Sequence, residues 1–268
     1  MSRFDTPVTY DNFAVSRDDD IVTVRMDSTS TMNGFSPEFL EEFREITMGL
    51  REDDSVRAVV LTGSKDAYSV GADIAPFDGD ERDGRRLRYL ASTLHEVVRE
   101  LLQLRAPLIT AVNGVAAGAG FSLALLGDVV LVSDEASLRF AYPAIGLTGD
   151  GASTFLLPRL VGLRKAREIV LMDEPIAPTE AVSLELATEM VPDSELAAHA
   201  DDVAAELAAG PTVAYGETKR LLLESFDRSL EEQLAAETNA MARATKTADY
   251  RRGYEAFFGD EEATFEGQ

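Results

Sequence analysis

Cysteine is missing from all 268 residues, which excludes disulfide frameworks, thiolate catalysis and cysteine-built zinc sites. Only two histidines are present, His95 and His199, and no metal centre is expected from so small a set. Lysine is almost as scarce, at Lys65, Lys165, Lys219 and Lys246 alone. Basic residues number 25 against 48 acidic ones, a formal net charge of -23. The basic footprint that phosphate backbones require is therefore lacking, which argues against nucleic acid and anionic membranes as partners. The first twenty residues hold no basic region followed by an apolar stretch, so no secretory signal is expected and a cytoplasmic address follows. The most apolar segment, residues 111–126, is built from alanine and glycine around Asn113 and Ser122, and is too short and too weakly apolar for a membrane span.

What is present is an ordinary hydrophobic fraction of 45%, enough for one large core with at most a small appended unit. Carboxylates spread over such a chain describe a folded protein with a heavily hydrated surface. That surface suits a salt-rich cytosol in which self-repulsion is screened, so a halophilic protein is expected. Runs of β-branched residues in "FAVSR", "DIVTVRMD", "VRAVVLTG", "PLITAVNG" and "DVVLVSD" predict strands, separated by segments with helical spacing. A first helix opens at Ser36 as cap and Pro37 as first helical residue, with Phe39, Leu40, Phe43, Ile46 and Leu50 on one face. A second fits residues 85–104. From Ser153 onward strand signals vanish, which implies an α/β core over residues 1–200 and a helical region over residues 201–268.

Two glycine-rich turns follow buried strands. "LTGSKDAYSVGADI" passes through Gly63 and Gly71 into what reads as a short helix at residues 72–75. "AVNGVAAGAGFSLALLGD" passes through Gly114, Gly118 and Gly120 into a helix ending near Leu126. Each offers backbone amides at a helix start, the donors that an oxyanion hole needs, although either turn alone also reads as a tight strand-to-helix connection. A dinucleotide-binding reading of the second fails, because the third glycine is missing and no phosphate-binding lysine follows.

"AYSVGADI" and "AVNGVAAGAGFSLAL" together resemble the paired signatures of the enoyl-CoA hydratase/isomerase (crotonase) superfamily. The resemblance runs from "DIVTVRMD" through "MNGFSPEFLEEF" and "GLTGDGASTFLLPRLVGLRKAREIVL" to "TADYRRGYEAFF", nearly the whole chain. It implies a crotonase-type spiral of ββα turns with a C-terminal helical trimerisation region, hence a homotrimer or hexamer. It also implies a coenzyme A thioester whose carbonyl is polarised by the amides of Ala72 and Ala119, beside Gly71 and Gly118. No cofactor is implied beyond the coenzyme A of the substrate.

Relatives that hydrate a double bond carry two glutamates, and the matching positions here are Ser122 and Ala144. Neither transfers protons at neutral pH, so hydration has lost its acid and base. Asp150, between two glycines in "GLTGDGAST", matches the catalytic aspartate of several isomerases of the superfamily, including the dienoyl-CoA and epoxyphenylacetyl-CoA branches. One carboxylate that takes a proton from one carbon and returns it to another suffices to move a double bond once the enolate is held. The same aspartate also reads as the cap of the helix that follows. The runner-up comes from 4-chlorobenzoyl-CoA dehalogenase, which resembles this chain in a histidine at the offset of His95 and an aspartate at Asp150, with Tyr142 where that enzyme has tryptophan. Those two groups would support dehalogenation or thioester hydrolysis through a covalent step. A rival from another class is a non-catalytic acyl-CoA-binding protein. By the same resemblance, Lys65 reads as a coenzyme A contact, and Asn33 matches an asparagine that flanks the acyl-CoA channel, more often as a brace of its loop than as a ligand. The segment "FDGDERDGRRLRYLASTL", residues 77–94, is expected to line part of the pocket, but neither its conformation nor the identity of the acyl group is legible.

Overall fold

Strand β1 (Phe13–Asp18) turns back through Asp19, at φ 52°, onto β2 (Ile21–Met26) as an antiparallel hairpin. The computed structural model describes residues 9–28, 30–64, 67–259 and 262–268. Helix α1 (Pro37–Glu52) begins where its sequence asks: the Ser36 hydroxyl accepts the Phe39 N–H at 3.1 Å. Phe39, Leu40, Phe43, Ile46 and Leu50 are all buried, and the Phe39 ring packs against Phe13 and Phe35 at 4.5 and 4.9 Å. Burying each such ring contributes roughly 2–3 kcal/mol relative to leaving it in water.

Three ββα turns follow. The first is β3 (Ala58–Thr62), β4 (Ala67–Ser69) and α2 (Asp83–Leu102). The second is β5 (Leu108–Val112), β6 (Val115–Ala117) and α3 (Ala119–Ala124). The third is β7 (Val129–Ser133), β8 (Ser137–Arg139) and the helices α4 (Ser153–Leu160) and α5 (Gly162–Met172). Helix α6 (Pro178–Ser183) and a short strand β9 (Glu189–Val191) lead to α7 (Leu196–Ala208), α8 (Thr212–Glu224), α9 (Leu230–Ala244) and α10 (Ala248–Phe258). The first strand of each turn joins a six-stranded sheet ordered β1-β2-β3-β5-β7-β9, parallel except for the hairpin. The second strands form a separate parallel sheet, β4-β6-β8, so the chain winds as the expected spiral.

Several boundaries move. Helix α2 starts two residues earlier than expected because the Asp83 carboxylate accepts the N–H groups of Asp78, Gly79 and Asp80 at 3.2, 2.7 and 3.2 Å. Strand β9 is a strand where only helices were expected, with a single buried residue, Val191, to mark it. The division at residue 200 cuts through α7. That helix lays Leu196, Ala200, Ala204 and Ala208 on the outer face of the large sheet, against Val60, Ile109 and Leu131, and so belongs to the core. Spacing by four puts these small side chains on one stripe, which lets the helix approach the sheet closely. Among the described residues, no helix is long and apolar enough to cross a membrane.

Beyond α7, helices α8 and α9 are clasped by Glu217. Its carboxylate accepts from Arg243 at 2.7 and 3.1 Å and from Arg220 at 2.8 Å. The hydrogen bonds from Arg243, then those from Arg220, hold this carboxyl down at about 2, below its ordinary 4.5, against partial burial. Because folding lowers its pKa, the contribution of Glu217 to stability is complete above about pH 4.5 and fades as pH falls toward 2. Glu217→Gln is therefore expected to lower unfolding stability by on the order of 1 kcal/mol at neutral pH, and by less at about pH 3. Urea unfolding at both pH values checks this, and an equal deficit at both would mean that packing, not charge, is responsible.

Candidate active site

The two glycine turns meet backbone to backbone. A Cβ added to Gly120 would fall 2.0 Å from the Ser69 carbonyl oxygen, and one added to Gly71 would fall 2.5 Å from the Ala119 nitrogen. No side chain fits at either position, and Gly71 and Gly118 also lie at φ 79° and 55°. The turn before Gly71 is braced by Asn33, buried beneath it. The Asn33 amide donates to the carbonyls of Ala67 and Tyr68 at 2.9 and 3.1 Å, and its oxygen accepts from the Ser28 N–H at 3.1 Å and the Ser64 hydroxyl at 3.4 Å. Asn33, expected beside the acyl-CoA channel, has its polar atoms committed to the protein and is absent from the cavity lining.

The expected helix at residues 72–75 does not form. Ala72 stays extended and bridges Phe35: the Phe35 N–H donates to the Gly71 carbonyl at 2.7 Å, and the Asp73 N–H to the Phe35 carbonyl at 3.1 Å. Pro76 disfavours helical backbone in the residue before it, and the Asp73 carboxylate takes the Ala75 N–H at 3.1 Å. Amides alternate sides along extended backbone, so the N–H of Ala72 turns away from Phe35. The Ala119 N–H belongs to the first residue of α3, where amides have no intrahelical acceptor. Ala72 and Ala119 line one cavity of about 620 Å³. Helix α2 walls it with Leu87, Ala91 and Leu94, and the segment after β8 closes it with Tyr142, Leu147 and Asp150.

Asp150 does not cap the next helix with its side chain. The N-cap of α4 is Ala152, at φ 66°, without a side-chain cap. It is the Asp150 carbonyl that accepts there, from the Ser153 N–H at 3.2 Å and the Ser153 hydroxyl at 2.8 Å. The carboxylate instead pairs through Oδ1 with Nε2 of His95, on α2, so the structure brings together the two groups that the sequence singled out separately. Both side chains retain access to solvent. The other histidine, His199, pairs with Glu189 on the far side of the large sheet.

Ser122 is fully buried in α3 and donates to the Asp150 carbonyl at 2.8 Å, while the Tyr142 hydroxyl lies 3.2 Å from its oxygen. Burial pushes the Tyr142 phenol well above its ordinary range, so it stays a neutral partner. Gly149 and Gly151 have physical reasons to flank the acid. A Cβ on the first would strike the Phe140 ring at 2.6 Å, and one on the second would meet the Ser122 Cβ at 2.9 Å. Ala144, at the second lost glutamate, lies exposed in a 3-10 turn, outside the cavity lining. Lys65 lies outside the described residues. Arg88, on α2, lines the cavity; it lies in the stretch expected to do so, but nothing in the sequence distinguishes it from Arg85 and Arg86. Among the described residues, no group of three His, Cys, Asp or Glu side chains could hold a metal ion.

A ββα spiral with two glycine turns in contact, and an acid facing both, defines a class: the chain belongs to the enoyl-CoA hydratase/isomerase family, whose sequence model matches residues 16–268. It is 31% identical over 253 residues to the 1,2-epoxyphenylacetyl-CoA isomerase of Escherichia coli (strain K12), covering 92% of this chain and 95% of that protein. It is also 31% identical over 222 residues to the 4-chlorobenzoyl coenzyme A dehalogenase-2 of an Arthrobacter species, covering 82% of this chain and 80% of that one. The fold is similar to the crystal structure of the enoyl-CoA hydratase from Bacillus anthracis, with a TM-score of 0.89 at 26% identity over 96% of this chain and all of that one.

The strut through Ser122 yields a test. Ser122→Ala is expected to cost about 1–2 kcal/mol of stability, because it strips donors and acceptors from buried Tyr142 and Asp150. Ser122→Glu, which restores the glutamate of hydrating relatives, is expected to cost more, since the new carboxylate has no room and no cation. Thermal unfolding of the two variants checks the order, and a Ser122→Glu protein as stable as wild type would mean that the strut is dispensable.

Proposed function

We propose that this acyl-CoA enzyme is an isomerase that shifts a double bond or rearranges a strained ring through a thioester enolate. The amides of Ala72 and Ala119 hold the thioester oxygen as negative charge develops on it, and Asp150 takes a proton from one carbon and returns it to another. The observation that carries this reading is that Asp150 is the one carboxylate, among the described residues, in the lining that also contains those two alanines. His95 holds Oδ1, which leaves Oδ2 for the substrate. Gly71 and Gly118 keep the two amides close, Tyr142 packs beside the acyl group, and Lys65 meets a phosphate of coenzyme A. The step needs no cofactor beyond the coenzyme A of the substrate. Hydration is disfavoured because Ser122 is a strut and Ala144 carries no acid. A purely binding role leaves the retained carboxylate without a purpose.

The contact between His95 and Asp150 favours one second reading, hydrolytic dehalogenation or thioester hydrolysis, with Asp150 as nucleophile and His95 activating water. Exposed apolar residues along the C-terminal helices, among them Leu230, Met241 and Phe257, are consistent with a trimer or hexamer. The acidic surface fits a cytoplasm rich in salt.

Asp150→Asn is expected to retain acyl-CoA binding and to lose turnover by about two orders of magnitude or more. The assay is a 3-enoyl-CoA in deuterium oxide and molar potassium chloride, read by NMR and mass spectrometry. Movement of the double bond with deuterium entering the acyl chain supports the isomerase. An unchanged turnover number in the variant removes Asp150 from the mechanism. Halide or free coenzyme A released from aryl-CoA substrates, and abolished by both Asp150→Asn and His95→Gln, would install the hydrolytic reading instead.

A further inference from the structure

Among the described residues, the cavity wall contains two charged side chains, Asp150 and Arg88. Arginines crowd this part of α2: Arg82, Arg85, Arg86 and Arg88 fall within seven positions. Arg82 and Arg86 are paired with Asp78, Asp80 and Asp83. Neither Arg85 nor Arg88 forms an ion pair among the described residues, in a chain where acids outnumber bases 48 to 25, and of the two it is Arg88 that lines the cavity. Its neighbours in the lining are Leu87 and Ala91, and the Tyr142 hydroxyl across the cavity is already engaged by Ser122. A guanidinium against an apolar wall without a counter-ion selects for a planar anion, which it can grip with two parallel hydrogen bonds.

Arg88 and His95 are seven residues apart on the same helix, two turns and about 10 Å along its axis. Arg88 therefore stands two turns along α2 from the group that touches Asp150, and Arg88 and Asp150 line the same chamber. We propose that Arg88 is a specificity-determining residue, and that the substrate is a coenzyme A thioester whose acyl group carries a second carboxylate at its far end. The inference rests on the acyl-CoA reading of the site and adds the substrate class. It gives the apolar middle of the cavity to the carbon chain, the amide pair to the thioester and Arg88 to the terminal carboxylate.

Calorimetry with saturated, unreactive thioesters tests this on the whole protein, at the lowest salt that keeps it folded, because screening weakens charge pairs. The probes are a carboxylate-ended acyl-CoA, its methyl-ended counterpart of equal chain length, and free coenzyme A. Wild type is expected to bind the carboxylate-ended thioester at least about tenfold more tightly than the methyl-ended one. Arg88→Met is expected to abolish that preference and leave the affinity for free coenzyme A unchanged; exposed Arg88 is not needed for folding. Equal affinities in wild type would overturn the proposal. So would an Arg88→Met protein that binds all three probes more weakly by the same factor, since Arg88 would then be a phosphate contact. As none of the probes reacts, the result stands whether or not the enzyme isomerises. A preserved preference for the carboxylate without turnover of any enoyl-CoA would count against the isomerase reading alone.

Discussion

Everything at the site hangs on one close approach, that of the second glycine turn to the first. With Gly120 against the Ser69 carbonyl and Gly71 against the Ala119 nitrogen, the two backbones touch without side chains between them. The spacing of the Ala72 and Ala119 amides is thereby set by van der Waals contact of main chains. Amides fixed in that way cannot shift relative to one another without moving main chain. Behind them sit small buried polar groups. Asn33 spans the first turn, and the Ser69 hydroxyl donates to the Asn33 carbonyl at 2.8 Å while accepting the Gly71 N–H at 3.0 Å. In the second turn, Asn113 accepts the Gly63 N–H at 2.9 Å, which ties the two turns together once more.

The acid is placed by a different device. Its loop runs through left-handed backbone at Gly151 and Ala152, a conformation that costs an alanine about 1 kcal/mol. Hydrogen bonds to the Asp150 main chain from Ser122 and Ser153 offset that cost. The carboxylate itself is left to His95. Backbone held by serines and side chain paired with a histidine are separable arrangements, so Ser122 fixes the Asp150 main chain without engaging its carboxylate.

Strands β3, β5 and β7 were legible because they are buried on both faces and rich in β-branched residues; Val59, Val60 and Leu61 in β3 are an example. Helix α1 was legible to its cap. The inner sheet was not: "AYS", "VAA" and "SLR" are three residues each, too short to show alternation and partly too small to show hydrophobicity. At the site, the glycines and Asp150 stood out as local pattern. The orientation of the Ala72 amide did not, because it depends on a bridge to Phe35, and the pairing of His95 with Asp150 joins residues 55 apart. A bracing role for Asn33 follows from the resemblance; that it braces the carbonyls of Ala67 and Tyr68 does not. Arg88 lies in a stretch expected to line the pocket, but which of its arginines does so depends on a fold that the sequence does not reveal.

Helix α2 is a single straight rod that carries Gly84, Arg88 and Ala91 into the cavity wall and His95 onto the acid. Positions on one face of a helix come in steps of a turn, about 5 Å apiece. The reach of this chamber is therefore graduated. Leu87 and Leu90 fill the intermediate positions of the wall, so a charge placed along it can stand only at the steps that these residues define.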